Sequence, residues 1–176
     1  MISFSPKIAI IGPACTGKST LARRLAKHYQ TTWVPEYARS YLNRLDRDYV
    51  EKDLLEIAKG QIRAEETQAA KNPALLFCDT DLYVIKVWSE HKYNRCATWI
   101  LQQIAKRSYD LYLHTDIDLP WEDHPQREHP SPAMRSYFSR VYKDIVVHSG
   151  TPWAKISGSR KDRLQQAIEA IEKYLN

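Results

Sequence analysis

Glycine is scarce here, with five in 176 residues. A chain so poor in the one residue that freely adopts positive φ has few unusual turns to offer, so any glycines in a pattern carry weight. Cysteine is nearly as thin: Cys15, Cys78 and Cys96 stand apart, without a C-x-x-C pair. An odd, scattered set excludes a disulfide framework and a cysteine-built zinc site, and fits a reducing cytoplasm. No apolar run approaches the ~20 residues of a membrane-spanning helix, and no charged-then-apolar leader opens the chain. The expectation is a cytoplasmic protein with no membrane partner. Long runs of one charge are missing as well. The net charge is +5, but its cations lie in small groups such as Arg23/Arg24/Lys27 and Arg160/Lys161/Arg163. Without a basic run, nucleic acid is not an expected partner. The sequence leaves oligomeric state open, and a homo-oligomer is compatible with it. Hydrophobic residues make up 43% of the chain, enough for the core of one domain spanning residues 1–176.

Two of the five glycines stand in Gly12-Pro13-Ala14-Cys15-Thr16-Gly17-Lys18-Ser19, followed by Thr20. This fits the phosphate-binding P-loop, G-x-x-x-x-G-K-[ST]. The apolar, β-branched segment Lys7–Ile11 precedes it and a helical pattern, Ser19–Tyr29, follows. Strand, loop and helix in that order are the context the motif requires. Glycines let successive backbone N–H groups converge on phosphate oxygens at a helix N-terminus. Lys18 is placed to reach the β and γ phosphates, and Ser19 to ligate Mg²⁺. ATP and Mg²⁺ are the expected cofactors. A tight turn that binds nothing is the plain alternative. Cys15 has two readings, an oxidisable thiol beside Lys18 or a small loop filler.

Strands are expected at Lys7–Ile11, Thr32–Val34, Leu75–Cys78, Leu111–His114 and Trp153–Ile156. Helices are expected near Ser19–Tyr29, Tyr49–Lys71, Leu82–His91, Ala97–Lys106, Met134–His148 and Arg160–Leu175. The alternation predicts an α/β fold, a five-stranded parallel sheet with helices on both faces. Leu119–Pro132 breaks the rhythm with four prolines and a polar, irregular composition, as a lid does.

Ligands in such sheets bind beyond the carboxyl ends of the strands. Val34-Pro35-Glu36-Tyr37-Ala38-Arg39 leaves the second strand there. Glu36 is a candidate acceptor of a hydroxyl proton and Arg39 a candidate phosphate contact; the alternative is a surface ion pair. The third strand ends in Asp79-Thr80-Asp81. Asp79 fits the Walker B carboxylate that holds magnesium opposite Ser19. Asp81 either contacts substrate hydroxyls or caps the helix that begins at Leu82. Within the lid, Arg127 is the candidate cation over a transferring phosphoryl group, and Asp123 positions it or binds substrate. His124 and His129 lack metal-ligand spacing. Ser157, Gly158 and Arg160 leave the last strand, where an adenine ring or an ordinary helix cap are both compatible readings.

The P-loop, Pro35-Glu36-Tyr37-Ala38-Arg39, Asp79-Thr80-Asp81 with Val84-Ile85-Lys86-Val87-Trp88, Asp116-Ile117-Asp118-Leu119-Pro120-Trp121 and Arg127-Glu128-His129-Pro130 together resemble the ribosylnicotinamide kinase family, the kinase domain of NadR-type proteins. The resemblance runs from Lys7 to about Leu175. It implies a P-loop kinase fold and ATP-dependent phosphorylation of the 5′-hydroxyl of nicotinamide riboside, a small nucleoside-like substrate, to nicotinamide mononucleotide. By position it implies Lys18 and Ser19 as phosphate and Mg²⁺ ligands and Arg127 as lid cation, with Glu36, Asp79 or Asp81 as base. A cationic pyridinium ring needs an aromatic slot; Tyr37, Tyr41, Trp88 and Trp121 are the candidates. With the P-loop beginning at Gly12, the adenylyltransferase and DNA-binding domains of bifunctional relatives are expected to be absent. The rival readings are a kinase for another nucleoside and an ATP-binding switch without a small-molecule acceptor.

Overall fold

A computed structural model describes residues 5–175. β1 (Lys7–Ile11) leads through the P-loop into α1 (Lys18–His28), and β2 (Thr32–Val34) into the short α2 (Tyr37–Leu42). The long α3 (Glu51–Ala69) returns to β3 (Leu76–Asp79). α4 (Leu82–Tyr93) and α5 (Thr98–Lys106) precede β4 (Leu111–Thr115). α6 (Pro132–His148), β5 (Trp153–Ile156) and α7 (Arg160–Leu175) complete the chain. All strand pairs are parallel, in the order β2-β3-β1-β4-β5.

β1 is apolar on both sides because both sides are covered. Ile8 and Ile10 point into a core built with Leu21, Leu25 and Ile171 of α1 and α7. Ala9 and Ile11 point the other way, toward Val84, Tyr142 and Val146 of α4 and α6. This period of two, with apolar residues at every position, is what a buried parallel strand demands. A third core joins Ala38, Leu54, Ile57, Leu82, Ile85 and Ile100 and carries α2, α3, α4 and α5 beside the sheet.

The expected strands and helices are present with shifts of at most two residues, and the starts of α3 and α6 have a local cause. α3 begins at Glu51 because the Asp53 carboxylate folds back to accept from the Val50 N–H at 2.8 Å. α6 begins at Pro132, which suits a first helical turn, behind Ser131, whose hydroxyl accepts from Met134 N. α2 was not expected. It has six residues, too few to nucleate on their own. Tertiary contact sustains it: Tyr37 packs on Gly60 of α3, and the Tyr37 N–H donates to Gln61 Oε1 at 2.9 Å. Residues 119–131 carry neither helix nor strand.

Candidate active site

The P-loop turns where its glycines allow. Gly12 has φ +152°, and a Cβ there would lie 2.5 Å from Thr115 Oγ1 and 2.8 Å from the Thr115 carbonyl. Neither a side chain nor its preferred backbone is accommodated. The Thr16 hydroxyl closes the loop, bonding the Pro13 carbonyl at 2.8 Å and sharing a 2.7 Å contact with the Thr115 hydroxyl. Cys15 (φ 59°) and Gly17 (φ 78°) are both left-handed, which turns consecutive amides to one side. Gly17 is the N-cap of α1, so no side chain caps the helix, and its first turn contains no acid. These uncapped amides and the positive helix end form an anion site.

Four ionisable groups converge on it. Lys18 is folded along the loop, its Nζ donating to the Pro13 carbonyl at 2.7 Å. Burial lowers the Lys18 pKa, and the charges of Glu36 and Asp79 oppose the shift. Burial likewise raises the Glu36 carboxyl, against the pull of Lys18. Asp79, 1% exposed, is raised by burial and drawn back by Lys18 and the Ser19 hydroxyl. Arg39 Nη2 lies 3.5 Å from Glu36 Oε2 and 3.3 Å from Ser19 Oγ. The cluster follows from topology: β1 and β3 are neighbours in register, with Ile10 opposite Asp79.

Asp79 Oδ1 is buried without a hydrogen-bond partner. An orphaned carboxylate oxygen beside a serine hydroxyl suits a hard divalent cation, so the residues fit Mg²⁺. Among the described residues no group of three or more His, Cys, Asp or Glu could enclose a metal. Mg²⁺ typically takes one or two protein ligands and completes its shell with water and phosphate.

A cleft of about 360 Å³ runs from this cluster under the lid; Glu36, Arg39, Trp88 and Arg127 are among its walls. A smaller chamber of about 70 Å³ opens off it, sharing Trp88 and Arg127 and adding Tyr49, Trp121 and Phe138. The lid is seated. The Cys15 thiol donates to the Glu122 carbonyl at 3.3 Å and Gln126 Nε2 contacts Asn43 Oδ1 at 2.5 Å. Tyr49 hydroxyl donates to Glu128 at 3.3 Å.

The structure brings Gly12, Ala14, Cys15, Thr16, Gly17, Lys18, Ser19, Thr20, Glu36, Arg39, Trp88, Arg127 and Arg160 to the cleft, with Pro13 and Trp121 at the chamber. Six residues expected at the site stand elsewhere. Tyr41 is held away, its hydroxyl donating to Asp53 at 2.8 Å, and Tyr37 lies against α3. Asp81 takes the capping alternative. It is 1% exposed and accepts from Tyr83 N and the Tyr112 hydroxyl, both at 3.0 Å. Asp123 is on the exposed side of the lid, accepting from Trp121 Nε1 at 2.7 Å. Ser157 and Gly158 are outside the cleft wall, because Gln166 bridges Ser157 and the Gly158 N–H donates to Asp118. One residue was missed in the sequence: Arg163, 3% exposed, bonds the carbonyls of Thr16, Gly158 and Asp116 and pairs with Asp118. It ties the P-loop to the ends of β4 and β5. The signal was a charged residue on the apolar stripe Arg163, Ala167, Ala170, Ile171 of α7. Tyr142 and Arg135, which line the cleft and the chamber, were also missed.

Sheet order, P-loop, Asp79 and lid together define the P-loop kinase fold. The sequence profile of the AAA domain family matches residues 7–163, and the chain belongs to that family. It is 23% identical over 177 residues to the trifunctional NAD biosynthesis/regulator protein NadR of Escherichia coli (strain K12), covering 98% of this chain and 43% of that protein. It thus spans less than half the length of that curated relative. A crystal structure of NadR protein in complex with NR superposes with a TM-score of 0.71 at 23% identity, over 97% of this chain and 51% of that one. Thymidylate kinase from Ehrlichia chaffeensis superposes at 0.63 with 14% identity, over 99% and 100% of the two chains.

Proposed function

We propose that this chain is an ATP-dependent kinase that phosphorylates the 5′-hydroxyl of nicotinamide riboside to nicotinamide mononucleotide. One observation carries the reading: a partly buried carboxylate, Glu36, faces the P-loop lysine in a cleft that opens into an aromatic chamber. A nucleotide switch needs no acceptor base and no second chamber. The likeness to NadR, whose crystal structure is of a complex with NR, supports the choice of riboside.

The riboside hydroxyl gives its proton to Glu36 as its oxygen attacks the γ-phosphorus. The bond from that phosphorus to the β–γ bridging oxygen breaks, and ADP leaves. Burial lifts the Glu36 carboxyl toward the working pH, which strengthens it as a general base. Lys18 and the P-loop amides stabilise charge on the bridge and the γ oxygens, and Arg127 covers the group from the lid. Mg²⁺, when bound by Ser19 and Asp79, supplies further charge neutralisation at the phosphates. The seated lid keeps water from competing as acceptor.

The test is turnover with ATP·Mg²⁺ and nicotinamide riboside beside adenosine, uridine, cytidine and thymidine, measuring ADP and phosphorylated product. Nicotinamide mononucleotide is expected to form preferentially. Glu36→Gln is expected to lower kcat by about 10²–10⁴, the worth of a general base. Preferential phosphorylation of another nucleoside overturns the substrate. ADP without any phosphorylated nucleoside overturns the kinase reading in favour of the switch.

A further inference from the structure

The acceptor chamber is aromatic, but its charge is not what a bare cation would want. Three cations line it, Lys92, Arg127 and Arg135, against one carboxylate, Glu128. Two of the aromatic faces that would attract a pyridinium ring already serve the protein's own cations. Lys92 Nζ lies 3.6 Å from the centre of the Tyr49 ring, and the Arg135 guanidinium 5.8 Å from that of Trp121. Trp88 and Tyr142 stand at the junction with the cleft, and Phe138 lines the chamber.

Two of the three cations have a carboxylate to answer them. Lys92 lies 3.9 Å from Glu128, and Arg127 lies 3.8 Å from Glu122. Arg135 has no carboxylate within ion-pair distance among the described residues. Its Nη2 donates to the Leu119 carbonyl at 2.9 Å, and its Nε is buried with no hydrogen-bond partner. A guanidinium with an unspent N–H in a part-buried chamber is a donor for an anion, and a carboxylate is the anion its planar fork matches.

We infer that Arg135 is a specificity-determining residue, and that the chamber takes a riboside whose pyridinium ring carries a carboxylate at least as well as the carboxamide. This rests on the riboside-kinase reading above. The acid riboside enters as a zwitterion: its carboxylate answers Arg135, and its ring charge is offset within the ligand. The amide brings an uncompensated positive charge to a chamber with cations in excess. Burial sharpens the difference, because charges inside a protein are screened less than in water.

The test compares kcat/KM for nicotinate riboside and nicotinamide riboside in the parent and in Arg135→Gln. The expected ratio, acid over amide, is one or greater in the parent and falls at least fivefold in the variant, through KM of the acid. A purely structural role for Arg135 lowers both substrates together and leaves the ratio in place, so the ratio is the readout. If Arg135→Gln does not fold, Arg135→Lys retains a donor for Leu119 without the fork, and the same fall in ratio is expected. A parent ratio below one, or a ratio that moves less than fivefold, overturns the inference and leaves the riboside-kinase reading standing. Absence of turnover with either riboside overturns both.

Discussion

Asp79 and Asp81 look alike in the sequence and behave differently in the fold because of the residue between them. Thr80 has φ 74°, an unusual conformation for a β-branched side chain, and its N–H donates to the Ile10 carbonyl at 3.0 Å. The kink leaves Asp79 beside Lys18 and turns Asp81 into the core under Tyr112. Burial raises the Asp81 carboxyl to about 7, with hydrogen bonds from Tyr112 and Tyr83 opposing. An unfolded aspartate titrates near 3.9. Between about pH 4 and 7 the folded chain therefore holds a proton that the unfolded chain has released. This contribution to stability is complete at the acid end of the window and is lost as pH rises to about 7. Asp81→Asn keeps the cap acceptor and removes the titration. From pH 5 to 7.5 the variant is expected to gain on the parent by on the order of 2 kcal/mol in urea unfolding. An unchanged difference across that range assigns the titration elsewhere. Sequence alone set Asp79 apart as the metal carboxylate but left Asp81 between substrate contact and helix cap, since that choice depends on one backbone angle.

At the scale of elements, the long and strongly patterned pieces were legible and the short one was not. β1 is apolar from Ile8 to Ile11, between two cores, while α1 and α7 each bury one face against the sheet, and their apolar spacing shows it. α2 shows no such pattern, having a single buried residue, Ala38. It exists because α3 leaves room for it. A Cβ on Gly60 would stand 2.0 Å from Tyr37 Cε1, and Tyr37 directly follows Glu36. Glycine in the middle of a helix looks like a weakness in the sequence; here it is the seat of the helix that carries Glu36 and Arg39. Two effects compete in Gly60→Ala. Helix propensity favours alanine by about 1 kcal/mol, and overpacking against an aromatic ring costs about 1–3 kcal/mol. At 2.0 Å the clash cannot be absorbed without moving Tyr37. The variant is expected to melt a few degrees lower, and to lose kcat by more than its unfolded fraction explains, because Glu36 moves with Tyr37. A higher melting temperature with full kcat would show that α2 is not seated in this way.

For the molecule as a whole, the order β2-β3-β1-β4-β5 decides where chemistry can occur. The chain leaves β1 for one side of the sheet, returns through β3, and crosses to β4 on the other side. The crevice at this reversal lies beyond the carboxyl ends of the strands, where such folds bind ligands. The P-loop follows β1, Asp79 ends β3 and Thr115 ends β4, while residues 119–131 border the opening. Arg163 joins the P-loop to β4 and β5 through the Thr16, Asp116 and Gly158 carbonyls and the Asp118 carboxylate, so this frame is held without using any phosphate-binding amide. The parts that would hold ATP·Mg²⁺ thus come from separate segments that meet only in the folded state. Ligand binding must then stabilise the domain as a unit, by about 2.7 kcal/mol at a hundred times Kd. For a chain of this size that is a rise of roughly 5–10 °C in Tm. A thermal melt with ATP should show part of this rise when EDTA is present and the full rise with Mg²⁺. Asp79→Asn should remove the magnesium increment and leave the nucleotide increment, because the P-loop amides do not depend on Asp79. Were the increment to survive that substitution intact, the divalent cation would have to be held by the phosphates and Ser19 alone, and Asp79 would be a buried carboxylate serving the Lys18 cluster instead.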